Sequence, residues 1–266
     1  MQNDTGAADR AARNEASADV IIPYKETPQA ELNLHRFDAQ RDSDAPVPAI
    51  AFFFGGGWVS GSPTQFYPFA KRLAALGLQV YCAEYRIESK HDTDPRCCVT
   101  DAVSALRYLR EHADSEGIDP DRLAAGGGSA GGHLAASIAT CSGLENPSEN
   151  SDTSYRPNAL ALFNPVYDNG PGAWGHERVK DYWESFSPLH NISEMIPPSF
   201  VVLGSEDDFI PVSTAQDWKE RCEAVGAYSE LHIYEGMGHG FFNYGNEAFD
   251  DCANKLEQFF KQLNWI

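Results

Sequence analysis

The chain has 266 residues, 42% hydrophobic and 22% charged, a balance that suits a packed domain and excludes a disordered chain. Its 39 acidic and 20 basic residues give a formal charge of −19, so the surface repels phosphate backbones and anionic lipid; nucleic acid and membrane surfaces are excluded as expected partners. The longest compact apolar run, Ala49 to Phe54, falls well short of the roughly 18 residues that span a bilayer.

Residues 1–20 are polar, lack periodicity and contain no apolar stretch of the signal-peptide kind, so a loose tail, one domain over 21–266 and a cytoplasmic protein are expected. The six cysteines (82, 97, 98, 141, 222 and 252) form no CxxC pair and no zinc spacing, which favours reduced, buried thiols over a disulfide framework. Ala30 to Phe37 alternates apolar and polar residues like a half-exposed edge strand, and Pro48 to Phe54 is continuously apolar like a strand buried on both faces. Thr64 to Leu76 reads as a helix closed by Gly77, followed by a strand over Leu78 to Tyr85. Arg96 to Glu116 has helical spacing and stops at Gly117; Arg122 to Ala125 is a short strand and Ala130 to Cys141 a helix.

Ser142 to Pro157 is a polar loop, and strands follow at Ala159 to Asn164, Phe200 to Leu203 and Glu230 to Tyr234. Val212 to Val225 and Glu247 to Leu263 carry apolar helix faces. This alternation predicts an α/β fold with a mostly parallel central sheet covered by helices on both faces. Val166 to Phe186, with Tyr167, Trp174, Tyr182 and Trp183 among glycines and prolines, is too aromatic for a solvated loop and is expected to act as a short lid over a site.

Chemistry concentrates at strand ends. Gly127-Gly128-Ser129-Ala130-Gly131 fits G-x-S-x-G between a strand and a helix, where small flanking residues permit the sharp turn that exposes a nucleophilic serine. Phe54-Gly55-Gly56-Gly57-Trp58 ends the most apolar strand; successive glycines leave backbone N–H groups free to hold an oxyanion, and Gly56, Gly57 and Ala130 are the expected donors. No GKS/T or G-x-G-x-x-G opens a helix there, which argues against a nucleotide cradle. Of eight histidines, His239 in Gly238-His239-Gly240 follows a strand and is the candidate base, whereas His133, four residues after the serine, is expected to pack beneath the turn. Glu206, Asp207 and Asp208 compete on composition to orient it. Trp58, Trp174, His176, Tyr182 and Trp183 are the candidate substrate contacts.

The motifs FFGGGW, Glu84-Tyr85-Arg86, DAVSALRYLR, GGSAGGHL, GSEDDFIP and GMGHGFF together resemble α/β-hydrolase esterases related to the hormone-sensitive-lipase group and to acetyl-xylan and feruloyl esterases. The resemblance implies an α/β-hydrolase fold, aligns the family's acid with Asp207, and gives a triad of Ser129, Asp207 and His239 in the chain order of that fold. Phe54 departs from the lipase group, which usually has histidine there, and most of that group's N-terminal cap has no counterpart in this sequence, which favours the smaller carbohydrate-esterase type as the expectation. The expected activity is serine-dependent hydrolysis of short acyl esters, with an acetylated sugar as the candidate substrate and neither metal nor organic cofactor. An arylformamidase, a prolyl-oligopeptidase-like peptidase and a non-catalytic binding protein are the competing expectations, and the oligomeric state is left open.

Overall fold

A computed structural model describes residues 17–150 and 152–266. Most of the predicted tail, residues 1–16, lies outside the described residues, and so does residue 151 in the polar loop. Eight strands form one sheet: β1 (Val20–Glu26), β2 (Glu31–Phe37), β3 (Val47–Phe53), β4 (Gln79–Ala83), β5 (Ile118–Gly128), β6 (Ala159–Phe163), β7 (Ser199–Gly204) and β8 (Ser229–Tyr234). Their spatial order is β1-β2-β4-β3-β5-β6-β7-β8, with the β1–β2 and β2–β4 pairs antiparallel and all pairs from β4 to β8 parallel.

The continuous apolarity of β3 reflects burial on both sides. Ala49, Ala51 and Phe53 enter one core, while Ile50 and Phe52 enter the other. Helices α2 (Pro95–Glu111), α3 (Ala130–Thr140) and α4 (Val212–Ala224) cover the first face, and α1 (Tyr67–Ala74) and α5 (Phe249–Gln262) the second. Asp94 caps α2 by accepting the Arg96 N–H at 2.8 Å, with Pro95 supplying the fixed φ of the first turn.

Several expected boundaries shift. The expected edge strand, β2, is paired on both sides, and β1 takes the edge; Pro23 and Lys25 break the alternation of β1, which pairs with β2 through a register irregularity between those two residues. The helix expected over Arg96 to Glu116 ends at Glu111, and a separate turn over Ala113–Glu116 closes on Gly117 at φ +64. The strand expected over Arg122 to Ala125 extends to Gly128, because Gly126–Gly128 pair with Ala161–Phe163 of β6 despite having no side chains. The polar loop after α3 and the helices on both faces take the expected places. Val166 to Phe186 holds only two single turns, His176–Val179 and Trp183–Phe186, and is pinned by buried residues. Tyr167 stacks on Trp218 at 4.9 Å, and Val179 and Phe186 are fully buried.

Candidate active site

Five neighbouring parallel strands end at one edge of the sheet, and the residues just beyond them converge. In spatial order β3 leads to Gly55–Gly57, β5 to Ser129, β6 to Asn164, β7 to Asp207 and β8 to His239. The carboxyl edge of a parallel sheet is where an open α/β fold leaves a crevice.

Ser129 stands in a strained conformation, φ 53° and ψ −118°, at the N-cap of α3. The strain is tolerated because the flanking glycines admit close backbone contact. A Cβ on Gly127 would lie 2.4 Å from the Gly131 carbonyl carbon, and one on Gly131 would lie 2.0 Å from the Phe53 oxygen. The turn is further held by the Ser129 N–H donating to Phe163 O at 2.9 Å, and by Ser129 O accepting from His133 N and Val166 N. Ala130 is the first residue of α3, so its N–H has no intrahelical acceptor.

Gly56 and Gly57 have φ +130 and +66, and Val59 N–H and Ser60 N–H both donate to Gly56 O, which folds the loop back on itself. The Gly56 and Gly57 N–H groups have no hydrogen-bond acceptor among the described residues. Gly55 N–H, by contrast, is occupied, donating to Gln65 Oε1 at 2.6 Å. The loop is gripped from behind as well. Tyr85 O–H donates to Phe54 O at 2.6 Å while the two rings stack 4.1 Å apart, which is the role of the aromatic residue at position 54. The Arg178 guanidinium donates to Gly57 O, pairs with Glu88 and lies 5.5 Å over the Trp58 ring.

His239 Nδ1 donates to Asp207 Oδ2 at 2.7 Å, and His239 Nε2 is 2.9 Å from Ser129 Oγ. Asp207 Oδ1 accepts the N–H groups of Phe209 (2.9 Å) and Ile210 (3.0 Å), and the side chain is fully buried, so both oxygens are committed and the rotamer is locked. With Asp207 accepting a hydrogen bond from Nδ1–H, the Nε2 lone pair faces the serine hydroxyl. The three acidic candidates are thereby separated: Asp207 meets the histidine, whereas Asp208 is exposed and lines a neighbouring cleft. His133 is fully buried at 5.1 Å from Trp58 and 4.3 Å from Phe186, and its Nε2 bonds Phe186 O; burial pushes its pKa down to about 3, which keeps it neutral.

A cleft of about 470 Å³ opens over Ser129, walled by Gly56, Gly57, Asn164, Trp174, Phe209 and His239. Of the expected substrate contacts, Trp174 alone lines it. The other four are corrected by their packing. Trp58 is fully buried behind the glycine loop, wedged between His133, Trp174 and Phe186. His176 bonds Asn169 O through Nδ1 at 2.8 Å and packs on Trp183. Tyr182 sits under Arg96 and, with Trp183, borders a separate surface depression. These aromatics attach the insertion to the core instead of facing Ser129.

Four residues of the site escaped the sequence reading: Phe209, Asn164, Gln65 and Asn243. Phe209 is 48% exposed and its ring stands perpendicular to that of His239, centroids 4.9 Å apart. Asn164 is fully buried at φ +34; its Oδ1 accepts Gly240 N–H at 2.9 Å and its Nδ2 lies 3.4 Å from His239 Nε2. A signal existed for Asn164, an asparagine ending a buried strand directly before Pro165, since asparagine tolerates positive φ. Gln65 had none, being one polar residue in a predicted helix.

Among the described residues no three His, Cys, Asp or Glu side chains group closely enough to hold a metal ion, and no helix is long and apolar enough to cross a membrane. All six cysteines are free, five of them buried.

Comparison with known proteins places this geometry. The family model described as BD-FAE matches residues 37–166, and that of the dienelactone hydrolase family matches residues 178–266. The chain is 33% identical to AB hydrolase superfamily protein C1039.03 of Schizosaccharomyces pombe, covering 85% of this chain and 73% of that protein. It is 31% identical to esterase LipC of Mycobacterium tuberculosis over 82% of this chain and 59% of LipC. The chain spans about half the length of most of the curated relatives it matches. Among solved structures, Thermogutta terrifontis esterase 2 phosphonylated by cyclosarin superposes with a TM-score of 0.88 at 35% identity, covering 93% of this chain and 95% of that one. The same esterase bound to propionate superposes with a TM-score of 0.87.

Proposed function

Because the chain belongs to the AB (α/β) hydrolase superfamily and has its fold, we propose that it is a serine carboxylic ester hydrolase acting on small esters with short acyl groups. The observation that carries this reading is the unbroken hydrogen-bonded line from Asp207 through His239 to Ser129, set beside glycine N–H groups that have no acceptor among the described residues.

The chemistry follows from the protonation pattern. Ser129 Oγ attacks the ester carbonyl carbon as its proton passes to His239 Nε2, and the carbonyl oxygen becomes an oxyanion held by the N–H groups of Gly56, Gly57 and Ala130. Asp207, desolvated and fixed by two backbone N–H groups, stabilises the imidazolium and its tautomer. Collapse of the tetrahedral intermediate breaks the bond to the alcohol oxygen, which takes the proton from His239 and leaves. Water then enters, loses a proton to His239, attacks the acyl-enzyme carbonyl and regenerates Ser129 with release of the acid.

Short acyl groups fit a cleft of about 470 Å³ whose wall is narrowed by Trp174 and Phe209. The similar esterase 2 has been captured with propionate and with butyrate, which supports the same size range. An acetylated sugar is the candidate alcohol part, because Trp174 and Phe209 put aromatic rings on the wall of the cleft.

The test is covalent. Esterase 2 of Thermogutta terrifontis is phosphorylated by paraoxon. Treatment of this chain with paraoxon should abolish hydrolysis of p-nitrophenyl acetate, with one adduct mapped by mass spectrometry to Ser129. Ser129→Ala should be inactive and unlabelled. Labelling elsewhere with Ser129 free, or turnover by the alanine variant above about a tenth of wild type, would reject the mechanism. A p-nitrophenyl ester series peaking at octanoate or longer would reject the short-acyl part, and acetylated sugars turned over no faster than simple alkyl acetates would reject the sugar.

A further inference from the structure

We infer that Gln65 and Asn243 form a two-amide bridge that holds the oxyanion loop and the histidine loop in register, making both positioning residues for ester hydrolysis. The inference rests on the serine hydrolase reading above. It starts from two side chains that border the cleft yet spend their polar groups on each other and on backbone.

The connection can be followed atom by atom. Gly55 N–H donates to Gln65 Oε1 at 2.6 Å; Gln65 Nε2 donates to Asn243 Oδ1 at 2.9 Å; Asn243 Nδ2 donates to Gly240 O at 2.8 Å. Gly55 precedes the proposed oxyanion donors Gly56 and Gly57, and Gly240 follows His239. The bridge therefore joins, across 178 residues of sequence, the loop that would bind the developing negative charge and the loop that would take the proton. On its far side Gly240 is held again, its N–H donating to Asn164 Oδ1.

The direction of every bond is dictated from the ends. Gly55 N–H can only donate and Gly240 O can only accept, so each side-chain amide must face its carbonyl toward Gly55 and its NH₂ toward Gly240. Turning either amide would set donor against donor or acceptor against acceptor. Only residues with one donor and one acceptor end can occupy both positions, which separates this pair from side chains that merely fill space. A register error of a fraction of an ångström between the oxyanion donors and His239 Nε2 is felt when the proton transfer and charge development coincide. The predicted effect is on turnover, with binding of the ground-state ester little changed.

A double-mutant cycle on the full chain tests this with Gln65→Met, Asn243→Leu and the double variant, assayed on p-nitrophenyl acetate. Each single variant should lose about 10-fold or more in kcat with KM within about threefold, and the double variant should be no more than about twofold below the weaker single, because either change already breaks the bridge. The Ki of an alkyl trifluoromethyl ketone, whose serine adduct carries the oxyanion, should rise in parallel with the loss in kcat/KM. Gln65→Glu keeps the acceptor for Gly55 but presents a second acceptor to Asn243, so it should fall with Gln65→Met. Fold-losses that multiply, a KM effect with kcat retained, or wild-type kcat in Gln65→Glu would each overturn the bridge. Absence of ester turnover in the wild-type chain would instead reject the hydrolase reading on which it rests.

Discussion

His133 predicts how the protein responds to acid. Its ring is fully buried against Trp58 and Phe186, its Nε2 is engaged with Phe186 O, and burial holds its pKa down at about 3. In the unfolded chain a histidine titrates near about 6.5. The native state therefore refuses a proton that the unfolded state accepts, and the sign follows: the contribution is fully present above pH about 6.5 and is lost as pH falls toward 3. At pH 5 the unfolded form is favoured by about 1.5 pKa units, or about 2 kcal/mol, and near pH 3 by about 4 kcal/mol. For a chain of this size 2 kcal/mol lowers Tm by roughly 4–8 °C.

Thermal unfolding of the wild type and of His133→Gln at pH 7.5 and pH 5.0 isolates the effect. The variant is less stable at both values, since it loses packing against Phe186, but it carries no titrating ring. Its drop between the two pH values should be smaller than that of the wild type by about 2 kcal/mol, because all other carboxylates and histidines are common to both proteins. Equal drops would refute the argument. The consequence reaches the site directly, because His133 N–H donates to Ser129 O one turn into α3, so acid opening at this ring unseats the serine turn.

Other changes have distinct signatures. Asp207→Asn should lower kcat on p-nitrophenyl acetate by about 10³-fold or more, since an amide donating toward Nδ1 selects the wrong tautomer, while Asp208→Asn should stay within about threefold; the reverse ranking would move the acid by one position. Arg178→Ala should lower kcat about tenfold with Tm changed by no more than a few degrees, because Gly57 O loses its grip, and Arg178→Lys should recover part of the loss; steady-state kinetics decide. Asp101→Ala removes a fully buried carboxylate that accepts from Arg86 N (3.0 Å), Nε (2.9 Å) and Nη2 (2.8 Å) and from Lys25 (2.8 Å), and should cost about 3–5 kcal/mol in urea unfolding with kcat per folded molecule unchanged. Dialysis against EDTA should leave turnover unchanged, because nucleophile, base and oxyanion donors are all groups of the chain itself.

What could be read from the chain and what could not divides along a physical line. Ser129, the glycine loop and His239 announce themselves because their chemistry needs particular local backbone: a strained turn between glycines, three residues without Cβ, a histidine between glycines past a strand. Local demands leave local patterns. Asp207 is different, since Glu206 and Asp208 are chemically equivalent in sequence and only the family resemblance favoured it; the distinction is the direction each side chain leaves the turn after β7, a tertiary fact. The aromatic insertion shows the opposite failure. Trp58, Tyr182 and Trp183 were expected at the cleft because aromatic density marks both binding surfaces and packing anchors, and composition cannot separate the two. In the fold they are anchors, with the buried indole of Trp58 supporting the loop that Gly57 occupies.

Asn164, Gln65 and Asn243 mark the deepest limit, and it has a structural cause. Parallel strands bring residues together at one sheet edge from positions scattered through the chain, so the amides that tie those loops to one another are distant in sequence and ordinary in type. Of the five converging strand ends, that of β6, to which no role was assigned from sequence, supplies Asn164, which fills the gap between Ser129 and Asp207 and fixes Gly240. Reactive groups can be found by asking what a reaction requires of a few adjacent residues. The groups that hold them apart at working distance answer to geometry set by the whole sheet, which is why their substitution is expected to alter turnover while leaving every recognisable motif in place.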